Sequence, residues 1–207
     1  MKILIVTSYF YPEVGAAASR IGNLADGLAD HGAQVDILAP LPNYPLGKVF
    51  EGYRGRIYCE EEIRGHRVFR YRTYNSVSKN AISRAANMVS FALMIWCFGW
   101  HRSLVKSYDV VIVQCPPLPV AYSSIKLFKG FFARKVILNV SDLWPLSAVE
   151  LGVMREGSAS FRLLAHLERV VYHEADAIMG QSNEILQHIR GFEPQKECFL
   201  YRNLKHT

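Results

Sequence analysis

The loop that precedes Ala16 has the composition of an anion-binding turn. A Pro-Glu-Val-Gly sequence ending at Gly15 separates an apolar run, Ile3 to Val6, from a helix of small residues. The N–H groups at a helix start carry partial positive charge and lack partners within the helix, which suits a phosphate. Gly15 and Ala16 are therefore candidates to bind a substrate phosphate through their backbone. Arg20 either meets a substrate phosphate as well or is a solvated surface charge.

A second candidate site follows the apolar run Val136 to Val140, which has the pattern of a buried strand. Ser141 and Asp142 come directly after this run, in the sequence Asn-Val-Ser-Asp-Leu-Trp-Pro. An acid at the carboxyl end of a parallel strand is well placed to face a ligand. The competing role for Asp142 is local, since Asp commonly caps a helix whose first residue is proline, here Pro145.

Two more strand ends supply candidate binding residues. Cys115, Pro116 and Pro117 end one apolar run and open a loop on the same edge of the predicted sheet. A nucleophilic Cys115 would need a neighbouring His or a helix start to lower its pKa, and the sequence supplies neither, so we interpret it as a pocket-wall residue. Ser182 follows the predicted strand Ala177–Gly180 and is a candidate ligand contact.

Strand patterns alternate with helix patterns along the chain, which predicts a doubly wound parallel α/β sheet of Rossmann type. Right-handed crossovers bring the loops after each strand to one edge. An irregular segment is predicted from Pro40 to Arg56, and two short strands between Ile57 and Tyr74. The other predicted strands are Ile3–Val6, Val35–Leu38, Val110–Gln114, Val136–Val140, Ala177–Gly180 and Cys198–Tyr201. The predicted helices after the first are Lys79–Lys106, Ala121–Phe128, Phe161–Glu174 and a short one from Asn183.

Bulk composition narrows the class of protein. At 207 residues, with 50% hydrophobic and 20% charged residues, the chain fits one globular domain. A formal net charge of +6 indicates anionic partners, although a modest excess of Lys and Arg also serves solubility. Four cysteines without a C-x-x-C pair and the absence of a leader sequence favour the cytoplasm. No metal or cofactor is expected, because the histidines show no metal-ligand spacing.

The segment Met88–Trp100 contains no charged residue, although a membrane-spanning helix needs about 20 apolar residues. One interpretation is a core helix packed on the sheet. The other is a helix whose face touches a membrane surface, with Trp96 and Trp100 at the rim and basic neighbours such as Arg102 near anionic headgroups. The second interpretation is preferred here.

Several of these motifs together resemble glycosyltransferase family 4. They are the Pro-Glu-x-Gly loop, the small-residue helix ending in Leu28-x-x-His31-Gly32, the VDIL strand, Cys115-Pro-Pro, the Asp-Leu-Trp-Pro run from Asp142, and the Glu-Ala-Asp-Ala-Ile stretch from Glu174. The resemblance covers essentially the whole chain. It implies that residues 1–207 form the amino-terminal, acceptor-binding half of a two-domain GT-B enzyme, with the donor-binding domain absent from this chain.

By the same resemblance, the enzyme would transfer a sugar with retention from a nucleotide sugar to a lipid-linked saccharide. The Asp-x-Trp-Pro run points to bacterial O-antigen and capsule enzymes, including N-acetylfucosamine transferases. Asp142 would orient or deprotonate the acceptor hydroxyl, and Trp144 would stack on a sugar or belong to the core. The donor phosphate and acceptor are the expected partners of Gly15, Ala16, Arg20, Pro116, Pro117, Ser141 and Ser182.

The resemblance also implies a cellular location, and two alternative functions remain. The expected location is the inner face of the plasma membrane, as a peripheral protein that binds no nucleic acid, and the isolated half is expected to be inactive. One alternative is a nucleotide- or NAD-binding Rossmann module, disfavoured because the G-x-G-x-x-G pattern and the acid after the second strand are missing. The other is a non-catalytic binding half-enzyme.

Overall fold

The computed structural model describes residues 1–75, 81–100, 108–129 and 131–202. Within these ranges, strands and helices alternate, and a single 3-10 turn (Glu51–Tyr53) follows the second strand. The strands are β1 (Lys2–Val6), β2 (Gln34–Pro40), β3 (Tyr58–Ile63), β4 (His66–Tyr71), β5 (Tyr108–Cys115), β6 (Ala133–Val140), β7 (Ala177–Gly180) and β8 (Cys198–Leu200). The helices are α1 (Ala16–Asp30), α2 (Ala81–Trp100), α3 (Leu118–Phe128), α4 (Leu146–Glu150), α5 (Ala159–Glu174) and α6 (Asn183–Phe192).

All the described strands belong to one sheet, in the order β3-β4-β2-β1-β5-β6-β7-β8. Only β3 and β4 pair antiparallel, and each of the other neighbouring pairs is parallel. The chain winds from β1 to β2 on one side and returns to β5 on the other, so the winding direction reverses between β1 and β5. The predicted doubly wound parallel sheet is therefore confirmed, with an antiparallel hairpin added at one edge. Ligands of open α/β sheets bind at the carboxyl ends of the strands beside such a reversal.

Each face of the sheet has its own core because the central strands are apolar on both sides, as in most parallel sheets. On one face Ile3 and Ile5 of β1 pack in a buried cluster with Ile21 and Leu24 of α1. The other face packs against α2, α3, α5 and α6, in a larger cluster that includes Leu4. This division follows from right-handed crossovers. The connection through α1 runs from β1 towards β2, in the opposite direction along the sheet from the later connections, so α1 lies on the opposite face.

Helix α2 divides into a buried face and an exposed apolar face. Phe91, Ile95 and Phe98 are at most 2% exposed and belong to the larger core. On the other side Val89, Leu93 and Trp96 are 49%, 58% and 42% exposed, and we call these three residues the α2 stripe. The core interpretation is confirmed for the buried face, and contact of the exposed face with a membrane stays a prediction.

The predicted helix Lys79–Lys106 is observed from Ala81 to Trp100. Arg102 and the side chain of Trp100, both expected at a membrane surface, lie outside the described residues. None of the helices in the described ranges combines the length and the hydropathy needed to cross a bilayer.

The two edge strands of the sheet differ in character. β3 reads Tyr-Cys-Glu-Glu-Glu-Ile and presents the consecutive acids Glu60, Glu61 and Glu62. β8 is three residues long, and its Phe199 and Leu200 are 47% and 43% exposed.

Candidate functional site

A polar contact joins β1 and β5 at the carboxyl edge of the sheet, where the winding direction reverses. Thr7 follows β1 directly, and its hydroxyl donates to Oε1 of Gln114 in β5 over 2.5 Å. Both residues are buried. Asn139 is paired in register with Gln114 on β6, and its Oδ1 atom is buried and accepts no hydrogen bond from the described residues. Polar side chains therefore lie side by side where the apolar strands end.

A cavity of about 340 Å³ lies at the start of α1. Its lining includes Gly15, Ala16, Arg20, Tyr9 and Tyr44. No side chain caps α1, and its first turn contains no acid. The amino-terminal N–H groups of a 15-residue helix therefore remain available to an anion at the cavity wall. The structure thus brings together three residues that the sequence proposed for one phosphate site.

The Arg20 side chain is held in place by the residue that follows β7. Its Nη1 atom donates to Oε1 of Gln181, directly after β7, over 3.1 Å. Gly15 has an extended backbone that any residue can adopt, and a Cβ there would lie 3.4 Å from Cε1 of Tyr44, an ordinary contact. Gly15 therefore contributes an open cavity wall rather than an unusual backbone conformation.

Glu13 fixes the loop in front of α1, a role that the sequence interpretation missed. Its Oε1 accepts from the backbone N–H groups of Asn43 and Tyr44, each over 2.8 Å, and Oε2 accepts from Phe10 N over 3.3 Å. The side chain is buried, and desolvation raises its pKa despite these three hydrogen bonds. The only signal in the sequence is an acid inside an otherwise apolar loop.

Asp142 lies in the loop between β6 and α4 with its side chain exposed. Its Oδ2 accepts a hydrogen bond from the Ser147 hydroxyl over 3.0 Å. The residue at the amino terminus of α4 is Pro145, and no side-chain hydrogen bond caps that helix. The carboxylate therefore does not act as a helix cap. Trp144 is half-buried and packs partly against the larger core.

The ends of β5 and β6 are joined through Ser141. Its backbone N–H and its hydroxyl both donate to the carbonyl oxygen of Cys115, over 2.9 and 3.3 Å. Pro116 and Pro117 are half-buried in the turn that leads into α3. These residues line the carboxyl edge as predicted, and whether they contact substrate stays a prediction.

The Cys115 thiol is buried among groups that oppose its ionisation. Burial raises its pKa strongly, and the carboxylates of Glu168 and Asp142 raise it further. Glu168 itself is buried and accepts from the Tyr172 hydroxyl over 3.0 Å and contacts His188 Nε2 at 3.2 Å. A thiol in this setting is a poor nucleophile, in agreement with the interpretation of Cys115 as a wall residue.

Ser182 has a structural task of its own. Its hydroxyl oxygen accepts from Ile185 N over 3.3 Å and caps α6. It also neighbours Gln181, the residue that holds Arg20. Ser182 therefore lies beside the α1 cavity without lining it, and its contact with substrate stays a prediction.

The ribose-binding acid of an NAD site is absent from the end of β2. The acid of β2, Asp36, is buried and accepts from Arg67 over 2.8 Å and from Tyr108 over 2.9 Å. The strand continues into Leu41 and Pro42 rather than into an acid. Dinucleotide sites place an acid at that point to bind the ribose.

Sequence comparison identifies relatives that match most of the chain. A family profile described as "Glycosyl transferase 4-like domain" matches residues 15–200. The putative colanic acid biosynthesis glycosyl transferase WcaI of Escherichia coli is 24% identical over 188 residues, which are 90% of this chain and 46% of that protein. The chain therefore spans about half the length of the curated relative that it matches.

Solved structures show the same fold at low sequence identity. Sucrose-phosphate synthase from Thermosynechococcus elongatus aligns with a TM-score of 0.63 and 14% identity, covering 97% of this chain and 47% of the other. The catalytic domain of starch synthase IV from Arabidopsis thaliana, bound to ADP and acarbose, aligns with a TM-score of 0.58 and 10% identity, covering 96% and 51%. These likenesses show the fold alone, which is the Rossmann-like half of the GT-B architecture.

Proposed function

The chain belongs to the glycosyl transferase 4-like family, and we propose that it is the acceptor-side domain of a retaining glycosyltransferase. In this proposal the enzyme transfers a sugar from a nucleotide-sugar donor to a lipid-linked saccharide. A second, donor-binding domain supplies most contacts with the nucleotide. The fact that the chain spans about half of its curated relative agrees with that division.

One observation carries the proposal: the uncapped start of α1 lines a cavity together with Arg20 at the carboxyl edge of the sheet. Helix N–H groups and a guanidinium both favour a phosphate oxygen. The cavity therefore suits the diphosphate of a nucleotide sugar, whose remaining parts would extend away from the sheet. The starch synthase structure with ADP is that of a protein with the same fold bound to a nucleoside diphosphate.

The proposed reaction needs no nucleophile from the protein. The acceptor hydroxyl bonds to the anomeric carbon on the face from which the donor diphosphate departs, and the hydroxyl proton passes to the departing phosphate oxygen. Positive groups at the α1 cavity stabilise the charge that develops on that phosphate. Asp142, exposed and held by Ser147, orients the acceptor hydroxyl from the β6 edge.

We place the enzyme in surface-polysaccharide synthesis because the curated relative is named for colanic acid biosynthesis. The proposed location is the inner face of the plasma membrane, with the α2 stripe in contact with lipid. A lipid-linked acceptor and exposed apolar residues on one helix favour this peripheral association. An N-acetylfucosamine donor is the narrower expectation from the Asp-x-Trp-Pro run.

Turnover assays test the proposal with and without a donor-binding domain, supplied as a fusion or in trans. We expect the isolated chain to give no steady turnover with UDP-, GDP- or dTDP-sugars and a lipid-diphosphate saccharide. The completed enzyme should transfer one of these sugars. Thermal-shift measurements with NAD serve as the control for a dinucleotide-binding module. Multiple turnover by the isolated chain would contradict the half-enzyme proposal, and failure of the completed enzyme with every donor would leave only a binding role.

A further inference from the structure

A second cavity lies at the carboxyl edge, on the β2–β4 side of the sheet. It measures about 470 Å³ and is formed by the loop after β2, the 3-10 turn and the chain beyond β4. Four of its lining residues are cations, namely Lys48, Arg54, Arg56 and Arg72, and none is an acid. We call it the basic cavity.

The positive charges of the basic cavity are poorly compensated within the described chain. Arg54 forms an ion pair with Glu51 at 3.3 Å, and both side chains are well exposed to solvent. Lys48, Arg56 and Arg72 form no ion pair with the described residues. Neighbouring like charges repel, so a ligand with several negative charges would relieve this repulsion.

The walls of the basic cavity are held in shape before a ligand arrives. The Tyr53 hydroxyl donates to Glu61 Oε2 over 2.8 Å, which fixes an aromatic wall. Gly47 and Gly55 line the cavity in left-handed conformations, with φ of 65° and 77°, which side chains rarely adopt. A preformed concave site loses less entropy on binding than a mobile surface patch does.

The basic cavity is separate from the α1 cavity but adjoins α2. The loop after β2 contributes Tyr44 to the α1 cavity and Lys48 to the basic cavity. Asn75 lines the basic cavity, and its Oδ1 accepts from Asn87 Nδ2 of α2 over 3.2 Å. The α2 stripe lies on a different side of the same helix, because residues two apart, such as Asn87 and Val89, do not share a helix face. The basic cavity therefore borders α2 on the side away from the stripe.

From the charge and the fixed shape of the cavity we propose that it binds the diphosphate of a lipid-anchored acceptor. Four cations outnumber the two negative charges of the diphosphate that links a lipid to a saccharide, and arginine donors suit its oxygens. The cavity volume falls in the range of small-ligand sites. The assignment of the lipid as a glycosyl acceptor rests on the proposed function, whereas the binding site itself does not.

The test measures binding of the chain to zwitterionic vesicles that contain a polyprenyl diphosphate, by cosedimentation. Arg56→Gln with Arg72→Gln should weaken binding by about tenfold or more, since each substitution removes charge-assisted hydrogen bonds. Arg56→Lys with Arg72→Lys should restore part of it. The control, Arg134→Gln with Lys135→Gln, removes the same charge from exposed positions on β6 and should change binding little. Circular dichroism checks that each variant is folded.

Three results would overturn the proposal. They are undiminished binding by the Arg56/Arg72 variant, an equal loss on phosphatidylglycerol vesicles of matched charge, and full competition by inorganic pyrophosphate at the concentration of the lipid diphosphate. Glycosyl transfer is measured separately in the completed enzyme. If the Arg56/Arg72 variant selectively loses lipid-diphosphate binding while the completed enzyme transfers no sugar, the site is supported and the proposed function is contradicted. If the completed enzyme transfers sugar while the variant binds the lipid diphosphate undiminished, the proposed function is supported and the site is contradicted.

Discussion

Asp142 tests the residue-scale basis of the proposed reaction. In the completed enzyme, Asp142→Asn should slow transfer about 100-fold or more, because an uncharged amide aligns the acceptor hydroxyl less well than a carboxylate does. The melting temperature should change little, since the side chain is exposed and bonds only to Ser147 among the described residues. Asp30→Asn, at another exposed aspartate, is the matched control for kinetics. Full activity with a lowered melting temperature would assign Asp142 a structural role.

Glu13 is the residue on which the shape of the α1 cavity depends. Glu13→Ala should lower the free energy of unfolding by about 2–4 kcal/mol, because it leaves backbone N–H groups of two loops unpaired. Glu13→Gln should cost much less, since its carbonyl oxygen can keep the bonds from Asn43 and Tyr44. Chemical denaturation measures both variants. Equal losses for the two would show that the charge, rather than the accepting oxygen, holds the loops.

The same residue makes a testable contribution to the pH dependence of stability. Burial raises the pKa of Glu13 above its ordinary 4.5, so the folded state binds the proton more tightly than the unfolded state does. Its stabilising contribution is then full below the unfolded pKa and is lost as the pH rises through the folded pKa. Relative to Glu13→Gln, the wild-type chain should therefore lose unfolding free energy as the pH rises from about 4. A difference that is constant with pH would contradict the raised pKa.

At the scale of elements, two glycines of α1 provide opposite predictions. A Cβ at Gly22 would lie 2.3 Å from Cε2 of Tyr11, in the loop that leads to the α1 cavity, whereas a Cβ at Gly27 meets nothing within 4 Å. Gly22→Ala should lower the free energy of unfolding by about 1–3 kcal/mol through overpacking. Gly27→Ala should raise it by about 0.5–1 kcal/mol, because alanine favours a helix. Thermal unfolding measures both, and stabilisation by Gly22→Ala would show that Tyr11 moves without cost.

An element could be predicted from the sequence where neighbouring residues alone determine it. β1, β5 and β6 contain largely apolar runs, and the helix start at Gly15 follows from small residues near a turn, so all four were predicted, although β5 and β6 begin two and three residues earlier than expected. The 3-10 turn was missed because it lies in a segment with no periodic pattern. The two faces of α2 could not be separated, since both are apolar and only packing on the sheet distinguishes them.

The parts of the site that escaped prediction depend on contacts between distant segments. Glu13 meets Asn43 and Tyr44 some 30 residues later, and Arg20 meets Gln181 from the other half of the chain. Arg72 was not singled out, because nothing near it in the sequence shows that it joins Lys48 at one cavity. Residue type identified the candidates, whereas the sheet order determined which of them meet.

At the scale of the whole molecule, a net charge of +6 and the α2 stripe together predict how the chain meets a membrane. Binding to vesicles should require anionic lipid and weaken with salt, each nearby cation contributing about 1 kcal/mol. Leu93→Ser with Trp96→Ser should weaken binding at every salt concentration, because it removes apolar surface from the contact. Cosedimentation over a salt series measures both effects.

The control for that experiment is Phe131→Ser with Leu163→Ser, which removes apolar surface of 80% and 67% exposure from positions outside α2. It should leave vesicle binding unchanged. Unfolding of the Leu93/Trp96 variant, detected by circular dichroism, would show that these residues belong to the core. Equal losses in the two double variants would show that the whole surface, rather than α2, meets the lipid.

The difference between the two edge strands, β3 and β8, affects how readily the isolated chain aggregates at high concentration. An open strand edge can add a strand from another molecule, and charged side chains on the edge discourage such addition. Three adjacent glutamates protect β3, because two copies brought together there would repel. β8 itself contains no charged residue, and its Phe199 and Leu200 are half-exposed apolar side chains. Aggregation of concentrated samples should therefore begin at β8, and an acidic substitution there is the direct way to improve solubility.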